Sequence, residues 1–131
     1  MCDVNREKEP HLPDLIEKAR TMRLYTMDAW VSDPAVLTDK AELRAALHAG
    51  ARLGGATVIG EEFCVFPNRA VTGVLVLAQS HLSIHTWPEL ALANVDLLTY
   101  GEISGRDVLA EIRVRLSVTR ASITCIPRAV G

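Results

Sequence analysis

No apolar run in this chain approaches the roughly 20 residues that a membrane-spanning helix needs, so the sequence predicts a soluble protein with no membrane partner. There is also no excess of basic residues. Fourteen Lys and Arg stand against sixteen Asp and Glu, which excludes the positive surplus that holds a nucleic-acid backbone. The opening MCDVNREKEPHLPD has no apolar segment after its charges, so no secretion signal is read and a cytoplasmic location is expected. Cysteine is scarce: Cys2, Cys64 and Cys125 include no CxxC pair, which argues against a disulfide framework and a zinc knuckle and for reduced, mostly buried thiols. At 131 residues there is material for one core and not for two ordinary domains.

What is present reads as alternating strands and helices. Residues 1–20 form an N-terminal arm carrying a short helical pattern at LPDLIEKAR, and 21–131 form the single domain. In MRLYTMDAWV, Leu24, Thr26, Asp28 and Trp30 fall on one face of a strand, with Tyr25, Met27, Ala29 and Val31 on the other. DKAE from Asp39 offers a capping box, after which Leu43, Ala46, Leu47 and Leu53 recur at helical spacing until Gly54-Gly55. ATVIG, VTGVLVLA, SHLSIHT and NVDLLTY read as strands, Arg106 to Val118 as a helix, and RASITCI as a closing strand. This order predicts an α+β two-layer sandwich: a mostly antiparallel sheet with helices packed on one face. A sheet covered on one side only, with a strand as apolar as VTGVLVLA, calls for something on its other side, and association into a homo-oligomer through the sheet is expected.

Chemistry concentrates in QSHLSIHTWPE, Gln79 to Glu89. A metal site on His81 and His85 fails on geometry, because four residues of strand separate them by about 13 Å, and the glutamate of an HExxH helix is missing. A Ser-His hydrolase fails on context, since no GxSxG elbow surrounds Ser80 or Ser83.

The longer run AVTGVLVLAQSHLSIHTWPELALANVDLLTYGE, closest over Val71 to Glu102, resembles the prokaryotic S-adenosylmethionine decarboxylase proenzyme family. In that family a serine attacks the carbonyl before it, the chain splits, and the serine becomes an amino-terminal pyruvoyl group. By position the serine is Ser80, and the resemblance implies cleavage between Gln79 and Ser80 into 1–79 and 80–131. The implied activity is decarboxylation of S-adenosylmethionine for polyamine synthesis, with neither a metal nor pyridoxal phosphate. Such a cofactor is chemically required, because losing CO₂ from an amino acid leaves an electron pair that no ordinary side chain accepts. A pyruvoyl ketone bonded to the substrate amine as a Schiff base does accept it.

The resemblance assigns self-processing roles to Thr72 and His85, adenine-stacking roles to Phe66 and Trp87, and ribose binding to Glu89. A histidine suits proton movement near neutrality. For His81 the family offers nothing that an ordinary structural hydrogen bond does not. The sequence departs from the family pattern at Ala70 (usually glycine), Gln79 (usually glutamate), Cys64 (often histidine) and Tyr100. Tyr100 stands where the family has a cysteine that returns a proton to the decarboxylated carbon. A phenol, with an ordinary pKa near 10, also donates protons but is longer and bulkier, so proton donor and pocket wall both stay open. Rebuilding there admits arginine or ornithine as alternative substrates, or a non-catalytic homologue.

Overall fold

A computed structural model describes residues 11–129; Cys2 and the rest of the first ten residues lie outside it. The chain runs α1 (Leu12–Thr21), β1 (Arg23–Val31), α2 (Lys40–Leu53), β2 (Val58–Val65), β3 (Val71–Leu77), β4 (Ser80–Trp87), β5 (Leu92–Thr99), α3 (Gly105–Arg115) and β6 (Val118–Pro127). The six strands form one sheet in the order β2-β3-β4-β5-β1-β6, and every neighbouring pair is antiparallel. Helices α2 and α3 pack on each other across one face. The two-layer α+β arrangement anticipated from the sequence is therefore the one observed.

Local chemistry sets the helix ends. Asp39 Oδ1 accepts from Glu42 N–H at 3.1 Å to open α2, and Ser104 Oγ accepts from Asp107 N–H at 3.3 Å to open α3. Close approach of the two helices depends on Gly54, where a Cβ would lie 2.2 Å from Val108 Cγ2. Between the layers, Met27, Leu43, Leu47, Leu75, Leu82, Ile84, Leu97, Leu109 and Ile112 are almost fully buried. Thr86 is polar but buried and satisfied: its hydroxyl accepts from Val71 N–H and donates to Leu37 O, each at 2.8 Å. That bond pair ties the 3-10 turn Pro34–Thr38 onto the β3–β4 hairpin.

Some expectations shift. The helix read as Arg106 to Val118 ends at Arg115, since Val118 already pairs with Val31 as the first residue of β6. The strand anticipated at ATVIG begins two residues later and runs on to Val65, because Glu61 faces the helix layer, where Arg44 meets it at 2.7 Å, and this breaks the apolar pattern. The strand read as NVDLLTY starts at Leu92 and ends at Thr99, leaving Tyr100 just beyond it. Cys64 and Cys125 are exposed rather than buried, since they sit on β2 and β6, the two edge strands.

Alternation along the strands leaves a helix-free face. It carries Leu24, Thr26, Asp28 and Trp30 of β1, Asn94, Asp96 and Leu98 of β5, His81, Ser83, His85 and Trp87 of β4, and Thr72, Val74 and Val76 of β3. No helix among the described residues is long and apolar enough to cross a membrane.

Candidate active site

Strands β3 and β4 are joined by a two-residue turn, Ala78-Gln79, which sets Leu77 opposite Ser80. Gln79 takes a left-handed conformation, φ 58°. For a residue with a Cβ this costs about 1–2 kcal/mol, so the peptide bond before Ser80 sits in a strained segment that its surroundings must hold. They hold it at several points. Ala78 N–H donates to Thr57 O at 2.8 Å, the Tyr100 hydroxyl donates to Ala78 O at 2.5 Å, and Ser80 Oγ–H donates to Leu98 O. Gln79 itself is exposed and Ser80 half-buried. Ser80 shares the parity of Leu82, Ile84 and Thr86, the residues of β4 that face the helix layer.

A second group forms on the helix-free face. Thr72 and His85 are directly paired across β3 and β4, and Thr72 Oγ1 lies 2.7 Å from His85 Nδ1. Trp87 meets the His85 ring edge-on, centroids 4.4 Å apart at 69°, and Phe66 lies at 6.1 Å. Trp87 Nε1–H donates to Asn94 Oδ1 at 2.6 Å, and Asn94 Nδ2–H donates to Asp28 Oδ1 at 2.8 Å, a chain running over three strands that sets the plane of the indole. Phe66 and Trp87 are 43% and 39% exposed, so each keeps part of its ring surface open to solvent. Glu89, exposed, follows in the 3-10 turn Pro88–Leu90.

The sequence-predicted residues thus fall into two places. Five residues of strand put His85 about 16 Å from Ser80, and their side chains leave opposite faces of the sheet. Thr72, His85, Phe66 and Trp87 stand together; Gln79, Ser80 and Tyr100 stand together at the other end of the hairpin.

The Ser80 end has a neighbour that the sequence pattern did not flag. Lys18 Nζ lies 4.4 Å over the Tyr100 ring, and the Thr21 hydroxyl accepts from Gly101 N–H at 2.7 Å while donating to Lys18 O at 2.8 Å. Asp14, Glu17 and Glu102 complete the lining of an adjoining cavity of about 430 Å³. Lys18, Thr21, Asn94 and Asp28 were all missed, because each reaches its partner through strand pairing or helix docking and carries no local motif. The perturbed titrations lie away from both groups: the Arg44 guanidinium holds the Glu61 carboxyl below its usual range, and burial together with Cys125 pushes the Tyr25 phenol up.

The class these features define is a two-layer α+β domain with a serine heading a strand behind a strained turn, and with a polar, aromatic-bearing sheet face. The chain belongs to the S-adenosylmethionine decarboxylase family, whose model matches residues 23–129. It is 36% identical over 105 residues to the S-adenosylmethionine decarboxylase proenzyme of Methanococcus vannielii, covering 79% of this chain and 86% of that one. The proenzyme of the same name from Symbiobacterium thermophilum is 49% identical over 79 residues, 60% of each chain. Among solved structures, the adenosylmethionine decarboxylase of Aquifex aeolicus superposes with a TM-score of 0.75 at 28% identity, covering 86% of this chain and 93% of that one.

Proposed function

We propose that this chain is a proenzyme that cuts itself between Gln79 and Ser80 and then decarboxylates S-adenosylmethionine, supplying the aminopropyl donor for polyamines in the cytoplasm. The observation that carries this reading is the placement of Ser80, within a family member, directly behind a left-handed Gln79 in a turn pinned on both sides. Attack of Ser80 Oγ on the Gln79 carbonyl carbon breaks the Gln79–Ser80 amide and forms an ester. Loss of the Ser80 Cα proton then breaks the Cβ–Oγ bond, releasing the Gln79 carboxylate and leaving an unsaturated Ser80 residue. Water adds there, ammonia leaves, and the pyruvoyl end results. Relief of the strain at Gln79 favours the first step.

The pyruvoyl group supplies an electron sink for the pair left when CO₂ departs. The remaining work falls to side chains. Phe66 and Trp87 offer ring faces to adenine and to the cationic sulfonium, and Glu89 offers two acceptors for ribose hydroxyls. Tyr100, at the Ser80 end, returns a proton to carbon once the bond is cut. Thr72 and His85 hold and move the protons of self-cleavage, but a proton does not travel 16 Å between fixed groups, so His85 cannot serve the Ser80 of its own copy. A second copy answers this when its helix-free face meets the Ala78-Gln79 turn at the hairpin end, where Gln79 is exposed, each copy lending its Thr72–His85 group and aromatic pair to the other's Gln79–Ser80 bond.

Intact mass tests the reading: purified protein should resolve into pieces of 79 and 52 residues, the shorter with a blocked amino terminus, whereas Ser80→Ala stays whole. Wild-type protein that stays whole after prolonged incubation at neutral pH refutes it. Release of labelled CO₂ should be faster from S-adenosylmethionine than from arginine or ornithine, the substrates that the bulk of Tyr100 makes the next choice.

A further inference from the structure

Helix α1 ends before the stretch that the family model matches, yet its last turn touches the 100–101 segment, whose Tyr100 hydroxyl bonds the cleavage turn. Its contact is directional. No residue of α1 is fully buried, and Leu12, Leu15 and Ile16 are exposed, so no buried apolar face fixes where the helix lies; only residues of its last turn are half-buried. Its last turn touches the 100–101 segment twice: Lys18 over the Tyr100 ring and the Thr21 hydroxyl on Gly101 N–H. From there the line continues inward, because the Tyr100 hydroxyl donates to Ala78 O, the carbonyl one residue before the strained Gln79. Ala78 N–H is held from its other side by Thr57 O.

We propose that α1 and Tyr100 form a clamp that holds the cleavage turn in its strained, cleavable conformation, with Tyr100, Lys18 and Thr21 acting as positioning residues for self-cleavage. The inference rests on the reading that the chain cuts itself at Ser80. It adds an order of events for Tyr100. While the chain is whole, the hydroxyl proton points at Ala78 O. Once the bond after Gln79 is cut, Ala78 belongs to a free chain end, the turn relaxes, and the hydroxyl turns toward the new terminus. One phenol therefore serves first as a brace and afterwards as a proton source, and the second role opens only when the first has ended.

The experiment follows the uncleaved chain by gel and intact mass, starting from freshly made full-length protein. Tyr100→Phe removes only the hydroxyl and should slow cleavage about five- to ten-fold, the worth of one hydrogen bond. Lys18→Met and Thr21→Val should each slow it about two- to five-fold, and Lys18→Arg should restore it, since either cation sits over a ring. In the Tyr100→Phe background Lys18→Met should add nothing, because the link from helix to turn is already cut. A general loss of packing moves the melting temperature and adds in both backgrounds, so melting curves on the same variants separate it from the clamp. Wild-type cleavage combined with unchanged rates in Tyr100→Phe and Lys18→Met overturns the clamp alone. A wild-type chain that never cleaves overturns the self-cleavage reading, and the clamp with it.

Discussion

Mixing two inactive variants tests whether a protomer completes its own site. On the proposed reading, Ser80→Ala lacks the nucleophile and His85→Ala lacks the proton carrier, whose removal should slow cleavage by about 10²-fold or more. On one protomer the two positions are five strand residues, about 16 Å, apart and on opposite faces, so each variant alone should stay whole. If the sites are shared across a two-fold pair, a mixed dimer has one site lacking both groups and one site lacking neither. Random pairing at equal amounts makes half the dimers mixed, so about a quarter of all chains should cleave, and all of these carry His85→Ala. Co-expression with tags of different mass, followed by intact-mass measurement, reads both the fraction and the identity of the cut chain. Absence of any cut chain in a preparation shown to contain mixed dimers would falsify the shared site, as would cutting confined to the Ser80→Ala partner's tag.

Asn94→Ala should raise KM for S-adenosylmethionine about two- to ten-fold with kcat nearly unchanged, because it frees the Trp87 indole without touching the Ser80 end; steady-state kinetics separate the two parameters. Gly73→Ala should destabilise the fold by about 1–3 kcal/mol, since the new Cβ would meet the Phe63 ring at 2.2 Å, and a thermal melt should show it. Glu61 gains its partner Arg44 on folding and its carboxyl is held below the usual 4.5, so its contribution is complete above that pH and is lost as pH falls through the lower folded value. Glu61→Gln should therefore melt earlier than wild type at pH 7 and together with it in strong acid.

Much of this protein was legible in the chain itself. The two-residue alternation of MRLYTMDAWV, the capping of Asp39 and the Gly54-Gly55 stop depend on sterics and hydrogen bonds within a few residues, and each appears where the pattern puts it. The run from Val71 to Glu102 likewise pointed to the family, because the residues that carry the likeness are contiguous in the chain.

Tertiary structure alone decided how those residues are shared out. Spacing in QSHLSIHTWPE puts Ser80 and His85 close in sequence, but an extended strand converts five residues into a long separation and an odd interval into opposite faces. The exposure of Cys64 and Cys125 follows from strand order, which leaves β2 and β6 at the edges. The contacts from Lys18 and Thr21 to Tyr100 and Gly101, and from Tyr100 back to Ala78, join residues 22 to 82 positions apart. Those partners are chosen by which strands pair and where a helix docks. Such choices are settled by the free energy of the whole sheet and core, so no local pattern carries them.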